Sequence, residues 1–400
     1  MFYHKKIAIF LVLFITVFSA TLETFSANSP RRRTTRHRGG FVLGDNIMPK
    51  HIKGLRMPKP FLRGLYLDCT RGSNLNWVKR LIKEAREAHI NCLVIDVAPY
   101  KSMRPIINPE VVKECLKNGI YPIARVVAFQ YGLQQRTVEQ SHMNAIYKLV
   151  DLSVQAGFKE IQLDYIRYAD GYGGMRLQEK YQFIENLLKT VKERINNPNI
   201  LLSTDVFGRI VYSRDDVIGQ QLETMAKYAD VICPMVYPSH YYPDYFKLRN
   251  PYFTVRQSTI KGLNRVGQKT YIMPYIQAFY MNVRYTPYTM GQYIEVQVQA
   301  VEDTAARGYI LWNARNQYAT TFEALKSYYK RNPHKVSDNP SGYNPETGEQ
   351  SADAAARGEE AARKAPGYRR DVPQTGQNNR NNSHNRGSTQ RVRANNPRNG

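Results

Sequence analysis

Two stretches decide the fold: EIQLDYI at residues 160–166 and ILLSTDV at residues 200–206. Each is a short apolar run with an aspartate near its end, apolar on both faces as buried parallel strands are. Between them, Gln178–Ile195 has the apolar spacing of a helix. The alternation repeats outward from this strand–helix–strand unit. Upstream, strand-like Arg63–Asp68, Cys92–Val97 and Tyr121–Val127 are separated by helix-like Trp77–His89 and Pro109–Asn118, and Glu139–Gln155 leads into the quoted strand. Pro109 stands in a first turn and Gly119 just past a last one, the usual start and stop signals. Downstream come helix Gly219–Tyr228, strand Asp230–Val236, helix Phe253–Val266, strand Thr270–Ile276, helix Gly291–Ala306, strand Gly308–Trp312 and a closing helix at Phe322–Tyr329. Eight strand–helix units within residues 61–330 predict one α/β domain, a (β/α)8 TIM barrel. A doubly wound open sheet is the alternative. It carries a Gly-rich phosphate turn after its first strand, whereas the first turn here reads DCTRGSN.

The 400 residues are 42% apolar and 22% charged, which excludes a wholly disordered, collagen-like or polytopic membrane chain. Of the net charge of +24, residues 1–60 carry +9 and residues 331–400 carry +5. His4, Lys5 and Lys6 precede an apolar run, Ile7–Phe18, that suits a signal-peptide core and is short for a bilayer span. A signal peptide over 1–27 and export are therefore expected, with an uncleaved anchor as the alternative. Residues 28–60 read as a basic linker. Residues 331–400, rich in Asn, Arg, Gly and Pro, read as a disordered tail with at most a transient helix around Ala354–Ala365. Such basic arms suit an anionic polymer or membrane surface, or else are solvated arms with no partner. Export and the lack of a recognised module argue against nucleic acid.

Active sites of such barrels lie at the C-terminal ends of the strands. The polar residues there include Asp96, Asp164, Arg167, Tyr168, Asp205, Tyr237, His240, Trp312 and Asn313. Glycoside hydrolysis needs two carboxylates on facing strand ends, one to attack or activate water and one to protonate the leaving oxygen. Asp164 and Asp205, on adjacent strands, are the candidate catalytic pair. Asp96 is a third candidate, and Arg167, Tyr168, Tyr237, His240, Trp312 and Asn313 are candidate sugar contacts. Each carboxylate has a plainer reading, as a helix cap or an arginine partner. Other chemistries of this fold fit less well. Only His240 of the body's histidines stands at a strand end, no strand ends in a lysine suited to Schiff-base formation, and no GxSxG elbow is present. The cysteines Cys69, Cys92, Cys115 and Cys233 lack metal-ligand spacing, and one disulfide among them stays open. No metal or cofactor is expected.

FKEIQLDYIRYADG, LLSTDVFG, ADVICPMVYPSHY and EVQVQAVEDTAARGYILWNARNQY, taken in order, resemble the bacterial putative glycosyl hydrolase domain family. The family is distantly similar to the alpha-amylase superfamily. There, a strand-four Asp is the nucleophile and a carboxylate ending strand five is the acid/base. The resemblance thus implies a barrel, Asp164 as nucleophile and Asp205 as acid/base. The position two before the strand-four Asp, an arginine in the amylase type, is Gln162 here. Together these readings predict an exported glycoside hydrolase acting on a polysaccharide or cell-envelope glycan. The alternative is a non-catalytic glycan-binding or envelope-organising protein on the same barrel.

Overall fold

The computed structural model describes residues 50–57 and 59–366. The expected signal peptide, most of the basic linker and the tail beyond residue 366 lie outside the described residues. Eight parallel strands close into a barrel: β1 (Leu62–Leu67), β2 (Cys92–Asp96), β3 (Tyr121–Val127), β4 (Glu160–Asp164), β5 (Leu201–Phe207), β6 (Val231–Met235), β7 in two segments (Tyr271–Ile272 and Tyr275–Gln277) and β8 (Gly308–Trp312). Neighbours pair in sequence order, and β8 pairs back onto β1. Pro274, which has no N–H to donate, sits in the break of β7. The surrounding helices are α1 (Leu75–Glu87), α2 (Pro109–Lys117), α3 (Gln140–Ala156), α4 (Leu177–Ile195), α5 (Leu222–Met225), α6 (Pro251–Val266), α7 (Met290–Glu302) and α8 (Ala319–Arg331). This is the (β/α)8 barrel that the alternation predicts.

Local chemistry explains the element ends. Asn74 and Asn108 accept backbone N–H groups at the starts of α1 and α2. Thr289 and Gln292 form a reciprocal capping box on α7. β4 ends at Asp164, two residues earlier than its apolar run, because Tyr165 turns the chain with a φ of 55°. Closure depends on Gly308. Its φ is 151°, and a Cβ there would stand 1.9 Å from the Leu62 carbonyl oxygen.

Side chains divide by strand alternation into two cores. Leu62, Tyr66, Val94, Ile123, Val231, Cys233, Tyr275 and Ile310 fill the barrel. Leu65, Leu67, Leu93, Val126, Leu163 and Ile232 face the helices. All four cysteines are buried free thiols.

The tail is a correction to its composition-based reading as disordered from residue 331. Residues 333–366 are ordered against the barrel and end in a further helix, α9 (Ala352–Arg363). Asp303, fully buried, takes Lys335 Nζ at 2.8 Å and a two-point contact from Arg357. Tyr343 is buried, with its hydroxyl donating to the Ile52 carbonyl. The end of the basic linker is thus held too: His51 and Leu55 are buried beside it. Next to Asp303, Glu302 accepts from the hydroxyls of Tyr328 and Tyr329, with Arg63 3.8 Å away. Burial dominates and pushes the Glu302 carboxyl up to about 7.

A carboxyl raised in this way stabilises the fold in its protonated form. That contribution is complete below the unfolded value, near 4.5, and is lost as pH rises through about 7. Thermal unfolding is expected to fall between pH 5 and 8 by the equivalent of about 3 kcal/mol, and Glu302→Gln to flatten that slope. Gly308→Ala is expected to destabilise the barrel by about 3 kcal/mol in urea unfolding, since it adds backbone strain to a clash.

Candidate active site

The alternation that fills the barrel also assembles its upper layer. Near the C-terminal ends of β2 to β5 the inward positions include Asp96, Arg125, Asp164 and Asp205, and all four are 6% exposed or less. Arg125 sits between the three carboxylates. Nη1 pairs with Asp96 Oδ1, Nη2 with Asp164 Oδ2, and Nε lies 3.4 Å from Asp205 Oδ2. Asp164 Oδ1 accepts the Tyr165 backbone N–H, so the strained turn at Tyr165 also orients the carboxylate. Tyr66 donates to Asp96 Oδ2 at 2.6 Å.

Aromatic rings wall this layer. Trp312 stacks on Tyr66 at 3.8 Å and meets Tyr275 edge-on at 5.8 Å. The Arg125 guanidinium lies 5.0 Å from the Trp312 ring and 5.4 Å from Tyr66. Below it, Gln162 accepts from the Tyr275 hydroxyl at 2.6 Å.

One cation among three buried carboxylates leaves an excess of negative charge, and protons relieve it. Burial, then the neighbouring Asp164 charge, push the Asp205 carboxyl well above its ordinary range, against the opposing pull of Arg125. One Asp205 oxygen, Oδ1, has no hydrogen-bond partner. Burial also raises Asp96, opposed by Arg125 and the Tyr66 hydrogen bond. The arrangement therefore drives Asp205 toward its protonated form beside Asp164, which is paired with the guanidinium. That is the asymmetry acid catalysis and nucleophilic attack require.

The structure brings Asp96, Asp164, Asp205 and Trp312 around Arg125. Tyr237 is buried and packs edge-on against Phe279 at 5.5 Å and His240 at 5.1 Å, with the His240 ring exposed at the rim. Arg167 lies at the rim, 4.8 Å over the Phe207 ring and 3.5 Å from Asp170. Tyr168 does not join the cluster. The turn at Tyr165 sends it outward, where it is buried against Tyr172 and Phe183. Asn313 spends its amide on the Ala278 and Gln317 carbonyls, tying loops together. Sequence reasoning missed Tyr66 and gave no role to Arg125 and Tyr275, although both stand near the ends of their strands. Arg125 left one signal, a charge inside the apolar run YPIARVV. Its register explains Gln162: Arg125 pairs with Gln162 across β3 and β4, so the neighbouring strand supplies the guanidinium that strand four lacks. No group of three His, Cys, Asp or Glu side chains arranged to hold a metal ion occurs among the described residues.

A closed parallel barrel with paired carboxylates at its C-terminal strand ends is an arrangement that glycoside hydrolases use. Residues 137–318 match the sequence model of the putative glycosyl hydrolase domain family, the one the motifs resemble. The match spans β4 to β8, and with them Asp164 and Asp205. The PgaB (BpsB) glycoside hydrolase domain from Bordetella bronchiseptica superposes with a TM-score of 0.51 at 12% identity, covering 67% of this chain and 99% of that one. The endo-1,4-beta-mannanase from Rhizomucor miehei superposes at 0.50 and 10% identity, covering 71% and 98%. At these identities the likeness is one of fold. No curated protein matches the chain by sequence.

Arg125→Met tests the electrostatic arrangement. Without the guanidinium the carboxylates are buried uncompensated, so urea unfolding at pH 7.5 is expected to show a loss of about 3–5 kcal/mol. At pH 4.5 the loss shrinks, because protonation replaces the missing cation. An equal loss at both pH values would contradict the arrangement.

Proposed function

We propose that this protein is an exported glycoside hydrolase that cleaves a polysaccharide or cell-envelope glycan with retention of configuration. The observation that carries the reading is the Asp164–Asp205 pair, both held by Arg125 beneath an aromatic-walled mouth. The motifs' distant similarity to the alpha-amylase superfamily, whose strand-four Asp is the nucleophile, favours Asp164 as nucleophile and hence retention. Asp164 then attacks the anomeric carbon as the glycosidic C–O bond breaks. The Asp205 proton passes to the leaving oxygen. Water next attacks the glycosyl ester and gives its proton to Asp205, which restores both groups. Arg125 compensates the Asp164 charge between turnovers, and Trp312 with Tyr66 offers a flat face to a sugar ring. The basic run and apolar core of residues 4–18 support export.

A second reading, a glycan binder without catalysis, is favoured by one observation: the three carboxylates are ion-paired or hydrogen-bonded and nearly closed from solvent.

Reducing-end release by the full chain on a panel of polysaccharides and peptidoglycan separates the two. Asp164→Asn and Asp205→Asn are each expected to lower release by about 10²–10⁴-fold with folding intact. Proton NMR of the first product is expected to show the substrate's anomeric configuration. Release unchanged in both variants would remove these residues from the mechanism. Glycan binding with no release by the parent would select the second reading.

A further inference from the structure

The loops that follow β6 and β7 are welded into one platform on the rim. Gln277, fully buried at the end of β7, accepts the Ser239 backbone N–H at 3.3 Å and donates to the Phe279 and Met281 carbonyls, both at 2.8 Å. Asn282 donates to the Ser239 carbonyl across the two loops. Gln297 of α7 holds the Gln277 backbone from behind, through both N–H and carbonyl.

This rigid base presents large side chains to solvent. Tyr242 is 60% exposed, Tyr245 47% and Tyr280 73%, with Tyr285 also open. The Tyr242 and Tyr245 rings meet edge-on at 5.6 Å. Two arginines flank the rings: Arg249 lies 5.6 Å from the Tyr245 ring and Arg284 5.0 Å from Tyr285. Both are exposed, and among the described residues neither forms an ion pair with a carboxylate. Exposed aromatic rings on a rigid base keep their apolar faces wet at a cost that a ligand can relieve. Unpaired guanidinium groups beside them select a carboxylate or phosphate. Inward, His240, Phe279 and Tyr237 continue the aromatic path toward the barrel mouth.

We propose that the joined β6 and β7 loops form a binding strip for an acidic polysaccharide chain running outward from the barrel mouth. The strip deepens the glycosidase reading by naming the charge of its substrate and by making it a chain longer than the sugars at the scissile bond. Ring faces of the tyrosines take the apolar faces of successive sugars. Arg249 and Arg284 take their acidic groups.

Calorimetric titration of the full chain carrying Asp164→Asn, in 0.3 M salt to screen the basic ends, tests the strip. Hexagalacturonate and a hyaluronan hexasaccharide are the acidic probes, and cellohexaose is the neutral one. At least one acidic probe is expected to bind tenfold or more tightly than cellohexaose. That binding is expected to weaken tenfold or more in Tyr245→Ala and in the double variant Arg249→Ala/Arg284→Ala. Binding unchanged in both variants, equal binding of cellohexaose, or no binding of either acidic probe would overturn the proposal. Reducing-end release by the parent is scored separately. A strip that binds on a parent that cleaves nothing removes the glycosidase reading and keeps the strip. A parent that cleaves with a strip that fails does the reverse.

Discussion

The buried guanidinium of Arg125 organises the upper half of the barrel. Ion pairs reach from β3 to carboxylates on β2, β4 and β5, so four adjacent strands end around one cation. A single positive charge cannot balance three negative ones at low dielectric. The outcome depends on what else each carboxylate touches. Asp164 takes a guanidinium nitrogen and a backbone N–H. Asp96 takes the other terminal nitrogen and the Tyr66 hydroxyl. Asp205 has the longest contact with Arg125 and one oxygen unpartnered, and it is the group most strongly driven toward its protonated form. Chemically identical side chains thus acquire different roles from their partners alone.

The same burial that sets these protonation states also sets how the layer is built. Trp312, Tyr66 and Tyr275 exclude water from the guanidinium, which strengthens each ion pair and raises the cost of losing one. The left-handed turn at Tyr165 adds backbone strain of about 1–3 kcal/mol. In return, its N–H points back at Asp164, and β4 ends at this carboxylate rather than at another apolar residue.

What was legible in the sequence follows from what is local. Strand and helix positions come from runs of apolar residues, and seven of the eight strands form as single segments near their expected bounds; the exception, β7, is broken at Pro274. Asp164 and Asp205 were visible because strand ends are visible. The central role of Arg125 was not, because its place opposite Gln162 is a matter of register between strands. Tyr168 looked like a site residue since it lies four residues past Asp164. One positive φ at Tyr165 turns it to the outer layer. The order of residues 333–366 was hidden for a related reason. Their composition is polar, yet a few long-range contacts to the buried Asp303, from Lys335 and Arg357, fix them in place.

Two charged centres therefore occupy opposite ends of one barrel, built by the same rule with different results. At the N-terminal end, Asp303 has a lysine and an arginine of its own, and Glu302 has two tyrosines and Arg63. Asp303 is fully compensated there and ties residues 333–366 to the barrel, while burial still raises Glu302. At the C-terminal end, one arginine is stretched over three carboxylates, and a carboxyl oxygen is left without a partner. A fold needs no such imbalance for stability, because replacing buried ions by apolar groups is often neutral or better. Incomplete compensation at the end where these barrels carry their chemistry makes the Arg125 cluster the candidate site. It leaves Asp164 and Asp205 unequal, while Asp303 at the opposite end holds the flanking segment in place.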